Sequence, residues 1–159
     1  SLFYQKVLNE EEGLPYWDTL NFEFDMMCKN AHKDFDTLLK LGPSRIVFHL
    51  NAEDDLLLFF KNLDMSYFYM IDFGIAVRVT DDIEKIRDFL PYIKFVQCMG
   101  IEHIGLQGQP FDPRVIEQIK KVKELFSEMV ISVDGGVNRQ TIHELMLAGA
   151  SRFVCGSAI

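Results

Sequence analysis

The sequence predicts an α/β fold built on a parallel sheet. Three observations predict it. Short β-branched and aromatic runs alternate with helical patterns over short links, which favours strand–helix–strand units with right-handed crossovers. The links carry turn and cap residues at the positions where helices should start and stop. The run Val130 to Val133 reads as a strand buried on both faces, as strands of a parallel sheet are.

Taken in order, residues 1–20 fit no strand–helix unit. Ser1 to Leu8 reads as a helical tail, and Asn9 to Pro15 as a helix end and a turn. Residues 21–28 read as the first strand. His32 to Leu41 reads as a helix with Phe35, Leu38 and Leu39 on one face and Gly42 as its stop. Arg45 to Leu50 is a second strand and Asp54 to Leu63 a second helix. Tyr67 to Val79 contains a third strand. Asp81 and Asp82 open a helix whose apolar side is Ile83, Ile86, Phe89 and Leu90. Ile93 to Met99 is a strand, followed by a loop from Gly100 to Phe111. Asp112 is a good N-cap and Pro113 suits a first helical position; Val115, Ile116, Ile119, Val122 and Phe126 then make an apolar stripe. The strand ending at Asp134 follows, then a helix from Arg139 to Ala148 with Asn138 as its N-cap and Gly149 as its C-cap. The last strand is Arg152 to Cys155. Six strands and no linker indicate a single domain over residues 1–159.

Composition narrows the function. The chain has 159 residues, 48 % of them hydrophobic, and a net charge of −8. That suits one sizeable core and argues against a nucleic-acid or anionic-membrane surface. No apolar run is long enough to span a bilayer, and no signal peptide is evident. Cys28, Cys98 and Cys155 lie far apart in apolar runs, which fits reduced, buried thiols and a cytoplasmic setting. The chain begins at Ser1 rather than Met, and native sequence is expected beyond both ends.

In a parallel β/α sheet, function collects at the C-terminal strand ends. Those ends carry Asp25, His49, Arg78, Met99, Asp134 and Gly156-Ser157. Three loops there are glycine-rich: Gly105-Leu106-Gln107-Gly108-Gln109, Gly135-Gly136 and Gly156-Ser157. The last two are successive strand ends, where β/α barrels commonly hold a phosphate. Each loop alone could be a plain turn. Asp134, a carboxylate ending an apolar strand beside two glycines, has no structural reason for its place and suits chemistry on a small phosphorylated molecule.

Several of these motifs carry a family resemblance. Gly108-Gln109-Pro110-Phe111-Asp112-Pro113, Val133-Asp134-Gly135-Gly136-Val137 and Ala148-Gly149-Ala150 with Gly156-Ser157-Ala158-Ile159 resemble, in order and spacing, the ribulose-phosphate 3-epimerase family. The resemblance is strong from Lys94 to Ile159 and extends back to Phe22. It implies a TIM (β/α)8 barrel of the ribulose-phosphate-binding type, with residues 21–159 as its strands three to eight and 1–20 as a tail and turn. It implies epimerisation at C3 of a ketopentose phosphate, D-ribulose 5-phosphate to D-xylulose 5-phosphate, through an enediolate. Asp134 would be the catalytic acid/base and a metal ligand. Asp25 would be a second ligand of a divalent ion such as Zn, Fe, Mn or Co. Gly105, Leu106, Gln107, Gly108, Gly135, Gly136, Gly156 and Ser157 would bind the substrate and its phosphate, with Met27, Met99 and His49 near the sugar. The partner would be a small sugar phosphate, and a homo-oligomer stays open.

The departures are specific. Asp25 stands where the family has a metal-binding His, Leu106 and Gln107 thin the family's glycine loop, and His49-Leu50-Asn51 replaces His-x-Glu. The family's first two strands, which carry a Ser, a His and the second catalytic Asp, have no match before residue 21. The alternatives are an epimerase or decarboxylase for another sugar phosphate, and a non-catalytic sugar-phosphate-binding homologue.

Overall fold

The computed structural model describes residues 6, 7, 9, 11–52, 54–105, 108–156 and 158. Most of the expected N-terminal helix, together with Leu106, Gln107, Ser157 and Ile159, lies outside the described residues. The core of the fold is one six-stranded sheet in sequence order, every neighbouring pair parallel. Its strands are β1 (Glu23–Met26), β2 (Arg45–His49), β3 (Asp72–Val77), β4 (Phe95–Met99), β5 (Val130–Asp134) and β6 (Arg152–Val154). This is a parallel half-barrel of strands with helices on one side. Among the described residues no helix is long and apolar enough to cross a membrane.

Helices follow the strands. α1 (Phe35–Leu39) is preceded by a 3-10 turn, Ala31–Asp34, so the helix expected over 32–41 is split. Phe35 and Leu38, three apart, are the positions it buries. α2 is Leu56–Asn62. β3 lies inside the run 67–79 expected to contain a strand, and α3 (Tyr67–Met70) precedes it there. Tyr-Phe-Tyr-Met is β-prone by composition. However, the Asp64 carboxylate accepts from both the backbone N–H and the hydroxyl of Ser66, and this local turn wins. The segment after β3 is a 3-10 helix, Ile83–Phe89, rather than an α-helix; Ile86 and Phe89, three apart, point the same way into the core. Asp82 caps it through Glu84 N–H.

α4 (Arg114–Leu125) buries Val115, Ile116, Ile119 and Val122, the expected stripe. Asp112 accepts from Arg114 N–H as a cap should, and also binds its guanidinium. α5 is Ile142–Ala148, three residues later than expected. Asn138 Oδ1 accepts from the N–H groups of Gln140 and Thr141, so it closes a turn ahead of the helix. Gly149 ends α5 in the left-handed region, φ 115°, as read. Cys155 falls outside β6. Cys28 is exposed, because it lies past the end of β1; only Cys98 is fully buried.

Strand alternation sorts the side chains. Ile46, Phe48, Ile75, Val77, Val96, Cys98, Ile131 and Val133 pack against the helices in the main core, whose aromatic centre is Phe48, Phe60 and Phe73. The intervening positions Val47, Ala76, Phe95 and Met99 form a second, smaller cluster on the inner face. At the lower end of that face the Arg152 guanidinium pairs with Glu23 and lies 4.2 Å from the centre of the Phe95 ring. Arg45 is 3.9 Å from Glu23 and 4.0 Å from Asp72. β1 and β6, the edges of the described sheet, are thus tied together by a side-chain ion pair.

Candidate functional site

The sheet register sets the site. His49, Ala76, Gln97 and Ser132 are aligned across β2 to β5, with Met99 paired to Asp134 one layer above. Asp25 projects into the same space from β1. His49 Nε2 lies 2.6 Å from Asp25 Oδ1, and Gln97 Nε2 donates to Asp25 Oδ2 at 2.7 Å. With the carboxylate ionised, both neighbours act as donors to it. His49 and Gln97 are buried, while the Asp25 side chain keeps 22 % exposure and so still reaches the mouth.

Asp134 ends β5, half-buried, opposite this group. Burial pushes its carboxyl above the usual range, and the negative charge of Asp25 pushes it further; the Gly135 N–H and His49 act weakly the other way. Two polar atoms nearby lack any hydrogen-bond partner: Gln97 Oε1 and Ser132 Oγ, both on residues with no exposed surface. Buried polar groups are normally paired, so these two are exceptions within an otherwise apolar layer.

The sequence-predicted residues divide clearly. Asp25, His49, Met99 and Asp134 come together on the inner face. Met27 does not join them: it lies just past β1, is exposed, and is no part of the inner cluster that holds Met99. Arg78 is taken up by Asp81. Gly135 and Gly136 adopt φ of 91° and 68°, pack against Ile101 and Phe111, and are braced by Thr141 Oγ1, which donates to Gly136 O at 2.7 Å. Gly105, Gly108 and Gly156 border open space, as a ligand-facing loop requires. The turn N–H groups of Gln140 and Thr141 are occupied by Asn138 Oδ1, so they are not free to meet an anion. Leu106, Gln107 and Ser157 lie outside the described residues. Sequence reading missed Gln97 and Ser132. The signal was present in Phe95-Val96-Gln97-Cys98-Met99, where an amide interrupts an otherwise apolar strand.

The divalent metal implied by the resemblance was tested against these donors. Among the described residues no group of three His, Cys, Asp or Glu side chains is arranged to hold a metal ion. Asp25, the expected ligand, has both oxygens engaged, by His49 and Gln97. The described residues by themselves do not fit a metal ion.

Comparison with known proteins agrees with this architecture. The model of the ribulose-phosphate 3-epimerase family matches residues 7–159. A ribulose-phosphate 3-epimerase from Mycobacterium leprae is 31 % identical over 163 residues, covering 96 % of this chain and 71 % of that protein. One from Eremothecium gossypii is 26 % identical over 138 residues, covering 87 % of this chain. The chain spans 56 % of the length of the Eremothecium protein, and the same share of a Candida glabrata relative. Among solved structures, 3-hexulose-6-phosphate synthase from Salmonella typhimurium superposes with a TM-score of 0.70 at 15 % identity, covering 98 % of this chain and 71 % of that one, a likeness of fold. The chain belongs to the ribulose-phosphate 3-epimerase family.

Proposed function

We propose that the protein epimerises C3 of a ketopentose phosphate, interconverting D-ribulose 5-phosphate and D-xylulose 5-phosphate by carboxylate acid/base catalysis. The observation that carries this reading is Asp134: a half-buried carboxyl at a strand end, raised by burial and by a facing carboxylate, as a group that must take and return a carbon-bound proton should be. Asp134 removes the C3 proton, and the electron pair moves into an enediolate. Met99 and Ala76 form the buried apolar layer beneath the site. The glycine loops at 105–108, 135–136 and 156–157 receive the phosphate through backbone amides, which suits a chain of net charge −8. In this reading the six strands correspond to strands three to eight of the eight-stranded barrel.

The test is direct. Full-length protein is given D-ribulose 5-phosphate, and D-xylulose 5-phosphate is measured with and without Zn²⁺, Fe²⁺, Mn²⁺ or Co²⁺. Failure to turn over under any of these conditions refutes the activity. Full activity in Asp134→Asn refutes the residue assignment. A second reading, a non-catalytic sugar-phosphate binder, is favoured by Asp25, which replaces a family metal ligand and is engaged within the protein. Saturable binding of the sugar phosphate without turnover would select it.

A further inference from the structure

The resemblance places a metal ligand at the end of β1, yet the described residues hold no group of three donors fit for an ion. We propose that Asp25 is not a metal ligand in this chain. It is a positioning residue, the shared acceptor of a side-chain bridge that ties β1 to β2 and β4 and fixes His49 and Gln97 on the inner face. The inference concerns the site of the epimerase reading but stands on the geometry alone.

Three observations carry this. The first is that two metal-competent side chains are spent on each other. His49 Nε2 lies 2.6 Å from Asp25 Oδ1; facing a carboxylate, that nitrogen carries its hydrogen and has no lone pair to offer an ion. The second is a donor that cannot change role. Gln97 Nε2 donates to Asp25 Oδ2 at 2.7 Å, and turning the amide over would set its carbonyl against a carboxylate. The third is the choice of Gln97 itself. It has no exposed surface, and its Oε1 is left without a partner in an apolar layer. A leucine of similar size would pack in β4 with no such orphan, so the amide is explained by its bond to Asp25. The register agrees. Asp25 is paired with Val47, whereas His49 and Gln97 share the next row through Ala76, so the carboxylate reaches along the sheet to join two rows.

The contrary arrangement, a ligating Asp25 with His49 and Gln97 as its outer supports, differs in a measurable way. Removing an outer partner of a metal ligand weakens the ion's binding by about 10–100-fold. Partners of a carboxylate that holds no ion act on the protein alone. The bridge then orders the inner face by itself: the Asp25–Gln97 bond links residues 72 apart, a cross-strand tie of the kind a bound ion would otherwise supply. Any ion the full-length protein takes up is left to donors other than Asp25.

Metal titration of the full-length protein tests this. Chelator-stripped wild type, Asp25→Ala and Gln97→Leu are titrated with Co²⁺ and followed by calorimetry and by the visible spectrum of the ion. All three should show the same stoichiometry, the same spectrum and affinities within about threefold, well short of the 10–100-fold that loss of an outer partner costs. Wild type that takes up no Co²⁺ has no metal ligand at Asp25 and upholds the proposal. A tenfold or greater loss of affinity in Gln97→Leu, or a changed spectrum in Asp25→Ala, makes Asp25 a ligand and overturns it. If the variants do not fold, the wild type decides by proton NMR. The His49 Nε2–H should give a slowly exchanging downfield signal in stripped protein, and that signal should survive addition of Zn²⁺. Its absence from stripped protein, or its loss on adding Zn²⁺, overturns the bridge. Wild type that fails to turn over D-ribulose 5-phosphate refutes the epimerase reading and leaves these readouts untouched, so the two failures are distinguishable.

Discussion

Gly100→Ala is the sharpest structural perturbation the site offers. Gly100 follows the last residue of β4; its N–H donates to Asp134 O at 2.7 Å and its carbonyl accepts from Asp112 N–H at 2.9 Å. A Cβ there would sit 2.2 Å from Gly135 O and 3.6 Å from Asp134 O. Both obstacles are backbone, so no side chain can swing aside. Opening the contact to the 3.0 Å that real Cβ atoms tolerate requires a shift of about 0.8 Å in a segment tied at both ends, in a close-packed region. Overpacking of this kind costs about 1–3 kcal/mol. In a domain of this size that is about 2–4 °C of Tm per kcal/mol. The displaced atoms belong to the residue after Asp134, so the carboxylate moves with them, and a misplacement approaching 1 Å costs about 10²-fold in rate. Thermal unfolding of the variant, with the epimerase assay on the full-length protein, measures both. A Tm within 1 °C of wild type together with unchanged turnover would refute the reasoning, because it would mean the Gly135 turn yields freely.

Further outcomes follow from individual groups. Asp134 has a folded-state pKa above its unfolded value, so it holds more proton in the folded state and stability falls as pH rises from the ordinary carboxylate range through the raised value. Asp134→Asn is therefore expected to melt higher than wild type at neutral pH, with the advantage shrinking in acid; a constant difference across pH would contradict the burial argument. Arg152→Ala removes the Glu23 ion pair and the stack on Phe95, and should cost about 1.5–3 kcal/mol in urea unfolding, with most of the loss absent in a Glu23→Gln background. The Cys98 thiol is pushed up to about 12 by complete burial, so thiol reagents at pH 8 should label Cys28 quickly and Cys98 only on unfolding.

Much of the fold was legible because parallel strands buried on both faces and capped helices leave local signatures. Val130–Asp134, the α4 stripe and Gly149 were all read at or near their true positions. The misreadings were local contests between side chain and backbone. Asp82 caps a 3-10 helix where an α-helix was expected, and Asn138 with Thr141 delayed α5. The site was half legible. Asp134, Asp25 and His49 could be placed at strand ends by counting. That His49 and Gln97 both turn onto Asp25 depends on sheet curvature, which brings β4 within reach of β1, a contact across 72 residues that no local pattern contains.

The Arg152–Glu23 pair has a consequence for how the sheet comes apart. It joins positions 129 residues apart and lies on the two edge strands of the described sheet, the places where fraying ordinarily starts independently. Closing so long a stretch of chain has an entropic cost that is met only once β2 to β5 are already assembled. The two edges are therefore cooperative: release of β6 sets Glu23 free among Arg45 and water, and release of β1 strands Arg152 over Phe95. Amide exchange at Phe24 and at Phe153 should rise together as denaturant is added, although the strands never touch through their backbones.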